Sequence, residues 1–222
     1  MKNKILLVLL TSLALGACHK ETIDTPVPSI PQLTEQERIE PVSGTTVTQN
    51  NIVYTQLDKE LGYNKFITVD VDQNGKNDFY FTSVLIYDGQ SHLFLMASPV
   101  SSSGAKLLLN STEELVMNGM WAKDLVANTP IDGSQAPATL WSNFMIKGVV
   151  LDQIDHGGGV NTLHGPWVGK TDRYLGMQIV INGVVHYGWI HFAHTAGEAK
   201  LRIVGIAYHE IAGQMIRAGQ MR

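Results

Sequence analysis

The sequence predicts an all-β protein, an antiparallel β-sandwich of jelly-roll-like type with long loops. Segments of alternating, β-branched or aromatic residues recur from Thr45 to Tyr208, and short turns rich in glycine separate them. Helical periodicity is scarce. The strongest local signal is Asn182-Gly183 between two apolar runs, because Asn-Gly supplies the positive φ angles of a two-residue hairpin turn.

The first seventeen residues have the layout of a lipoprotein signal peptide. Lys2 and Lys4 form a charged start, and the apolar run that follows is shorter than the ~20 residues needed to cross a bilayer. Leu15-Gly16-Ala17-Cys18 then matches the pattern that lipoprotein signal peptidase cuts. We therefore expect cleavage before Cys18 and lipid, palmitate included, on its thiol; two or more acyl chains anchor a protein stably. The alternative is an ordinary secretory signal with a chance cysteine.

The amino-acid composition limits the cellular compartment in which the protein can work and the kinds of partner it can bind. Cys18 is the single cysteine, so the chain cannot form an internal disulfide, and its stability must come from a core and any bound metal. The net charge is −4 and no basic cluster occurs, which argues against a nucleic-acid partner. We expect a lipid-anchored protein of the cell envelope, with the outer membrane preferred over the inner membrane.

Residues 18–43 are polar, contain four prolines and lack a sustained apolar period. This composition predicts a disordered tether that lifts the domain away from the membrane. An ordered arm packed on the domain is the alternative. The rest of the chain, residues 44–222, is predicted to form one β-sandwich domain.

Strand-like segments follow one another through this domain. They are residues 51–57, 65–71, 78–87, 92–97, 107–109, 144–151, 173–181, 184–192 and 201–208. Helical signals are confined to Ser111-Thr112-Glu113-Glu114, which predicts a short helix through Asn118, and to a turn at 120–126. Residues 128–169 have the weakest pattern and are predicted to hold long loops, where a functional site would lie.

The segment Asp70–Asp78 fits the calcium-loop pattern D-x-D-x-N-G-x-x-D. Calcium prefers six to eight oxygen ligands, and Gly75 at the sixth position permits the sharp turn that brings the side chains together. The predicted ligands are Asp70, Asp72, Asn74, Asp78 and, through its backbone carbonyl alone, Lys76. Phe81 stands where an EF-hand has glutamate, and the flanks are strand-like, so the loop is not an EF-hand. The alternative is a metal-free hairpin turn, which favours the same residue types.

Several other motifs are weak. His156–Gly159 resembles the HGGG oxyanion loop of esterases, but no G-x-S-x-G nucleophile motif accompanies it. His186, His191 and His194 lack the spacing of a zinc site. Asp152, Asp155 and Asp172 cannot be assigned catalytic roles from spacing alone.

Two tryptophans in the loop-rich region are candidates for stacking against sugars. Trp141 and Trp167 both fall within residues 128–169. Aromatic rings pack on the apolar faces of pyranoses, although core packing is the commoner role of a tryptophan. Both are candidates for ligand binding.

The acidic loop and several C-terminal motifs together resemble a group of exported bacterial β-domain proteins, of the PEP-CTERM kind or lipoproteins of Bacteroidetes. The matching motifs are Asp70–Phe79, Tyr174-Leu175-Gly176, Ile181-Asn182-Gly183, His186-Tyr187-Gly188-Trp189-Ile190, Ile206-Ala207-Tyr208 and Ile216-Arg217-Ala218-Gly219-Gln220. The chain departs from the group in having a lipobox in place of a C-terminal sorting segment, and Asn74 where aspartate is common. The resemblance implies an exported β-domain but no particular substrate.

The sequence thus favours a non-enzymatic, calcium-stabilised module that binds or scaffolds a glycan, a matrix component or an envelope protein. One alternative is a polysaccharide-acting enzyme with its site in residues 128–169. Another is an accessory subunit of an envelope complex, which would expose a large apolar patch.

Overall fold

The structure, a computed structural model, describes residues 44–115, 119–134, 138–142, 148–157, 159–195 and 198–222. These residues belong to a single structural unit. The predicted signal peptide 1–17, Cys18 and the predicted tether 18–43 lie outside the described residues. Within the described ranges, no helix is long and apolar enough to span a membrane.

Every regular element in these ranges is a β-strand. In chain order the strands are β1 (Thr45–Gln49), β2 (Ile52–Leu61), β3 (Phe66–Val69), β4 (Phe79–Tyr87), β5 (Ser91–Pro99), β6 (Lys106–Leu115), β7 (Gly119–Ala122), β8 (Pro130–Ile131), β9 (Thr139–Trp141), β10 (Gly148–Gly157), β11 (Val160–His164), β12 (Arg173–Ile181), β13 (Val184–Ala193), β14 (Leu201–His209) and β15 (Ile216–Arg217). The all-β prediction is therefore confirmed.

Thirteen of the strands form one continuous, curled sheet. Its order is β1-β2-β14-β13-β12-β6-β7-β10-β5-β4-β3, with β9 paired to β6 and β11 paired to β10. Strand β6 joins the two halves, since its start pairs with β12 and its later part pairs with β7. All pairings between these strands are antiparallel except β7 with β10, which is parallel.

The two halves of the sheet pack on a common core, which gives a sandwich-like arrangement. Phe81 of β4 meets Phe192 of β13 edge to face, with ring centroids 5.8 Å apart, and Trp167 contacts the same Phe192 at 5.2 Å. Alternation along β3 sends Ile67 and Val69 into this core. Burial of these large side chains supplies the main favourable term in folding.

A second apolar cluster lies on the opposite face of the β12–β14 half. The short β8 and β15 pair with each other and cover Trp189, whose ring also packs on Tyr174 with centroids 5.2 Å apart. The Trp189 indole N–H donates to the backbone carbonyl of Gln220, 3.2 Å away. The chain's C-terminal residues therefore belong to the packed structure.

The Asn182-Gly183 turn has the geometry that its residue types predict. The φ angles are 51° and 81°, and Ile181 pairs directly with Val184. Strands β12 and β13 consequently form a tight two-residue hairpin.

Two local expectations differ from the structure. Residues 111–115, predicted to begin a short helix, continue β6, and the end of that strand pairs with β7 at 119–120. Residues 116–118 of the predicted helix lie outside the description. The stretch 128–169, predicted to be loop-rich, contains β8 to β11 in its described part. In both places, pairing with distant strands overrides a weak local pattern.

Candidate functional site

The acidic loop connects the edge strand β3 to β4. Val69 pairs with Phe79 at its base, and the backbone N–H of Asp78 donates to the carbonyl of Val69 at 2.8 Å. The chain between them must therefore turn back within a few residues. Gly75 provides this turn with a φ of 85°, which a residue with a side chain rarely adopts.

Three carboxylates converge inside the loop. Asp70, Asp72 and Asp78 each place one oxygen within 4.8 Å of the others, and no other such group of His, Cys, Asp or Glu occurs in the described ranges. Backbone N–H groups orient them: those of Asn74 and Gly75 donate to Asp70 at 3.1 and 2.7 Å. A carboxylate accepts several hydrogen bonds, so lone pairs stay free for a cation.

Electrostatics inside the loop disfavour three negative charges in the absence of a cation. Burial raises the pKa of Asp78 to about 6, and the neighbouring Asp72 and Asp70 add to this rise. Burial likewise raises the pKa of Asp70, with Asp72 contributing. A divalent cation would remove this repulsion, because opposite charge stabilises the ionised carboxylates.

The two remaining predicted ligands lie in the same loop. The side-chain amide of Asn74 donates to Asp72 at 2.8 Å, and its oxygen accepts the backbone N–H of Lys76 at 2.9 Å. The side chain of Lys76 is exposed. The structure thus brings the three carboxylates together and holds Asn74 against one of them.

The charges of the loop also act on Tyr208 of β14, which lies across a cavity from the loop. A cavity of about 270 Å³ separates the loop from β2 and β14 and is lined by Asp70, Tyr208 and mainly apolar side chains. Burial raises the pKa of Tyr208, and the charges of Asp72, Glu210 and Asp78 raise it further. The acidic loop therefore forms one end of the sandwich, where the two outermost parts of the sheet approach each other.

Trp141 and Trp167, which the sequence offers as ligand-binding candidates, are both buried. Trp167 is 1% exposed, and its indole N–H donates to the backbone carbonyl of Ala122 at 3.2 Å. Trp141 is 9% exposed and packs against Tyr187 with ring centroids 6.3 Å apart. Neither ring offers a free face to a sugar in this arrangement.

The carboxylates considered for an enzyme do not form a common site. Asp152 is fully buried on the core face of β10, opposite Leu95, whereas Asp155 lies opposite His92 on the other face. Asp172 is exposed and approaches His191 at 2.9 Å. A pair of carboxylates acting on one glycosidic bond must face the same cleft, which Asp152 and Asp155 do not.

A separate hydrogen-bonded cluster surrounds Asp155. One ring nitrogen of His92 contacts Asp155 at 2.7 Å and the other contacts Asp88 at 2.9 Å, while His164 contacts Asp155 at 3.0 Å. Hydrogen bonds to Asp155 and Asp88 raise the pKa of His92. Both ring nitrogens of His92 are thus engaged. This arrangement suits a structural link between neighbouring strands better than a catalytic acid or base.

Comparisons of the chain with protein-family models, with curated proteins and with solved structures found no match. The resemblance to exported bacterial β-domain proteins therefore stays a prediction.

Proposed function

We propose that this protein is a non-enzymatic binding module of the bacterial cell envelope, anchored by lipid on Cys18 and stabilised by calcium in the loop Asp70–Asp78. The observation that carries the proposal is the convergence of Asp70, Asp72 and Asp78 within 4.8 Å. It occurs in a loop whose sequence independently fits a calcium pattern.

The chemistry of the loop suits calcium better than a transition metal. All the candidate ligand atoms are oxygens, from three carboxylates, one amide and one backbone carbonyl. Calcium is a hard cation that takes six to eight oxygens in flexible geometry, whereas zinc and copper favour nitrogen and sulfur. Water molecules would complete the coordination on the exposed side, where Asn74 and Lys76 lie.

The location follows from the N-terminal sequence. A charged start, a short apolar run and Leu15-Gly16-Ala17-Cys18 occur in the order that lipoprotein export requires. The polar, proline-containing residues 18–43 would hold the domain away from the lipid. Outside the cytoplasm, free calcium reaches the millimolar concentrations at which a structural loop of this kind fills.

The test is a thermal melt of the mature lipidated protein in detergent, first in chelator and then in calcium. With a dissociation constant of ~10⁻⁴ to 10⁻³ M, a few millimolar calcium adds about 1–2 kcal/mol of stability. For a domain of this size, this corresponds to a rise of about 2–8 °C in melting temperature. Asp72→Ala should abolish the rise.

Asp88→Ala is the matched control. Asp88 is likewise an aspartate in a connection between two strands, but it is exposed and lies outside the acidic loop. This variant should keep the full calcium shift, and magnesium should give the wild type a smaller one, because it demands stricter octahedral geometry. Equal melts in chelator and in calcium would refute the metal site and leave the loop as an acidic turn.

A further inference from the structure

A groove of about 500 Å³ lies on the outer face of the sheet, beside the acidic loop. Its floor is the edge strand β3 with its neighbour β4, and its walls come from the loop and from the turn after β5. The side chains that matter for its chemistry are Phe66, Thr68, Lys76, Asn77, Tyr80 and Ser101. Most of them can donate or accept hydrogen bonds, and two are aromatic.

The aromatic pair forms a partly exposed platform. Thr68 lies directly opposite Tyr80 in the β3–β4 ladder, so Phe66 is the diagonal neighbour of Tyr80 on the same face. The two rings stack with centroids 5.6 Å apart and an interplanar angle of 20°. Phe66 is 45% exposed, which leaves much of a large apolar side chain available for contact.

Two polar groups beside this platform have no hydrogen-bond partner among the described residues. They are the hydroxyl of Thr68, a residue only 6% exposed, and the side-chain oxygen of Asn77. Both side chains line the groove. Buried polar groups are normally paired, so both oxygens would gain a partner if a small rotation of their side chains brought them to an incoming hydroxyl.

We propose that this groove binds a pyranose unit of a glycan. The apolar face of the sugar ring would pack on Phe66 and Tyr80, and its hydroxyls would bond to Thr68 and Asn77. This inference rests on the proposed function as a binding module and deepens it by naming the ligand class.

The charges around the groove favour an uncharged sugar. Lys76 carries the one positive charge on the rim, and its ammonium makes no ion pair within the described ranges. The three loop carboxylates, a bound calcium ion and the Lys76 ammonium cancel in sum. The net charge beside the groove is therefore zero when calcium is bound, so a polyanionic or polycationic ligand gains no net electrostatic steering, and a neutral hexopyranose needs none.

The test is an array of neutral oligosaccharides, namely cello-, manno-, xylo- and chito-oligomers, probed with the mature lipidated protein in detergent and millimolar calcium. Binding to at least one series is expected, and calorimetry with that series would then compare variants. Phe66→Ala should lower the affinity at least tenfold. Tyr87→Ala, which removes a more exposed aromatic ring from the far end of β4, should leave it unchanged.

Thr68→Val separates binding from folding. Valine keeps the shape of threonine and removes the unpartnered hydroxyl, so the melting temperature should stay level or rise while the affinity falls about threefold to tenfold. A loss of affinity that merely tracks a lower melting temperature would contradict the proposal. So would an array without any binding, or a sugar affinity that Phe66→Ala leaves intact, as a sugar bound elsewhere on the protein would give.

The two proposals fail in distinguishable ways. If sugar binding depends on Phe66 but calcium does not change the melting temperature, the groove proposal is supported and the metal site is refuted. If calcium raises the melting temperature but no sugar binds, the metal site is supported and the groove proposal is refuted.

Discussion

Replacing Asp152 by asparagine is expected to stabilise the protein above about pH 6. Asp152 is fully buried on β10, and neither of its carboxylate oxygens has a hydrogen-bond partner within the described ranges. The nearest cationic candidate is His194, whose Nε2 lies 3.9 Å away. However, His194 Nδ1 accepts the backbone N–H of Gly169 and its Nε2 donates to the carbonyl of Glu198, both at 2.8 Å. Both ring nitrogens of His194 are thus engaged by backbone groups, so the ring makes no hydrogen bond to the buried carboxylate.

The size of the stabilisation expected from Asp152→Asn follows from the pKa of Asp152. Burial raises the pKa of Asp152 from 3.8 to about 6, and the nearby His194 acts in the opposite direction. Since the folded state holds this proton more tightly than the unfolded state, the free energy of unfolding falls as pH rises from about 4 to about 6. At about 1.4 kcal/mol per pKa unit, the ionised side chain destabilises the folded protein by about 3 kcal/mol. About 2 kcal/mol of this difference develops between about pH 4.5 and about pH 8.

The assay is urea denaturation of the wild type and Asp152→Asn at these two pH values. The stability gained by the variant should be about 2 kcal/mol larger at the higher pH, and the pH-independent cost of burying an amide cancels in this difference. Asp155→Asn on the same strand is the control. Although partial burial opposes it, hydrogen bonds from Gln153 and His92 hold the pKa of Asp155 below its usual value. The stability change caused by Asp155→Asn should therefore become less favourable, not more favourable, at the higher pH. An Asp152→Asn effect that is the same at both pH values would refute the reasoning.

Two further predictions concern the anchor and the packing. Cys18→Ser should abolish incorporation of labelled palmitate and release the protein from the membrane fraction, and a variant that still fractionates with membranes would contradict lipid anchoring. Gly188→Ala should lower the free energy of unfolding by about 1–3 kcal/mol, because the new methyl group would lie 2.5 Å from the Met177 Cε and closer still to the Ala207 carbonyl oxygen. The matched change Gly62→Ala, whose nearest neighbour is 3.5 Å away, should have little effect in the same urea titration.

The features that the sequence predicts well are those that short-range chemistry determines. The Asn182-Gly183 hairpin depends on two residues that tolerate positive φ angles, and the acidic loop depends on spacing within nine residues. Alternation along 65–71 also predicts which side chains of β3 enter the core. In each case the deciding interactions join residues that are close in the chain, so the pattern is visible without the fold.

The features that the sequence does not predict depend on pairing between distant segments. The parallel contact between β7 and β10 joins residues 119–121 to residues 148–150. The capping-like pattern at Ser111 predicts a helix where residues 111–115 continue β6, because hydrogen bonding of the β6 backbone to other strands outweighs a weak helix signal. Burial of Trp141 and Trp167 likewise depends on strands that the local pattern does not identify.

The groove illustrates the boundary between these two classes. Alternation places Phe66 and Thr68 on one face of β3, and an exposed phenylalanine beside a threonine is unremarkable by itself. The pair becomes part of an aromatic and polar surface because the strand register sets Tyr80 opposite Thr68. This register is fixed at the base of the acidic loop, where Val69 pairs with Phe79.

The loop and the groove are consequently one structural unit. Lys76 and Asn77 lie between Asn74 and Asp78, so any ordering of the carboxylates by a cation also restricts the backbone that presents Asn77 to the groove. Coupling between two sites is reciprocal in free energy: a cation that strengthens sugar binding must itself bind more tightly when the sugar is present. A structural calcium ion in this position would therefore act on ligand affinity without touching the ligand, through the loop that joins β3 to β4.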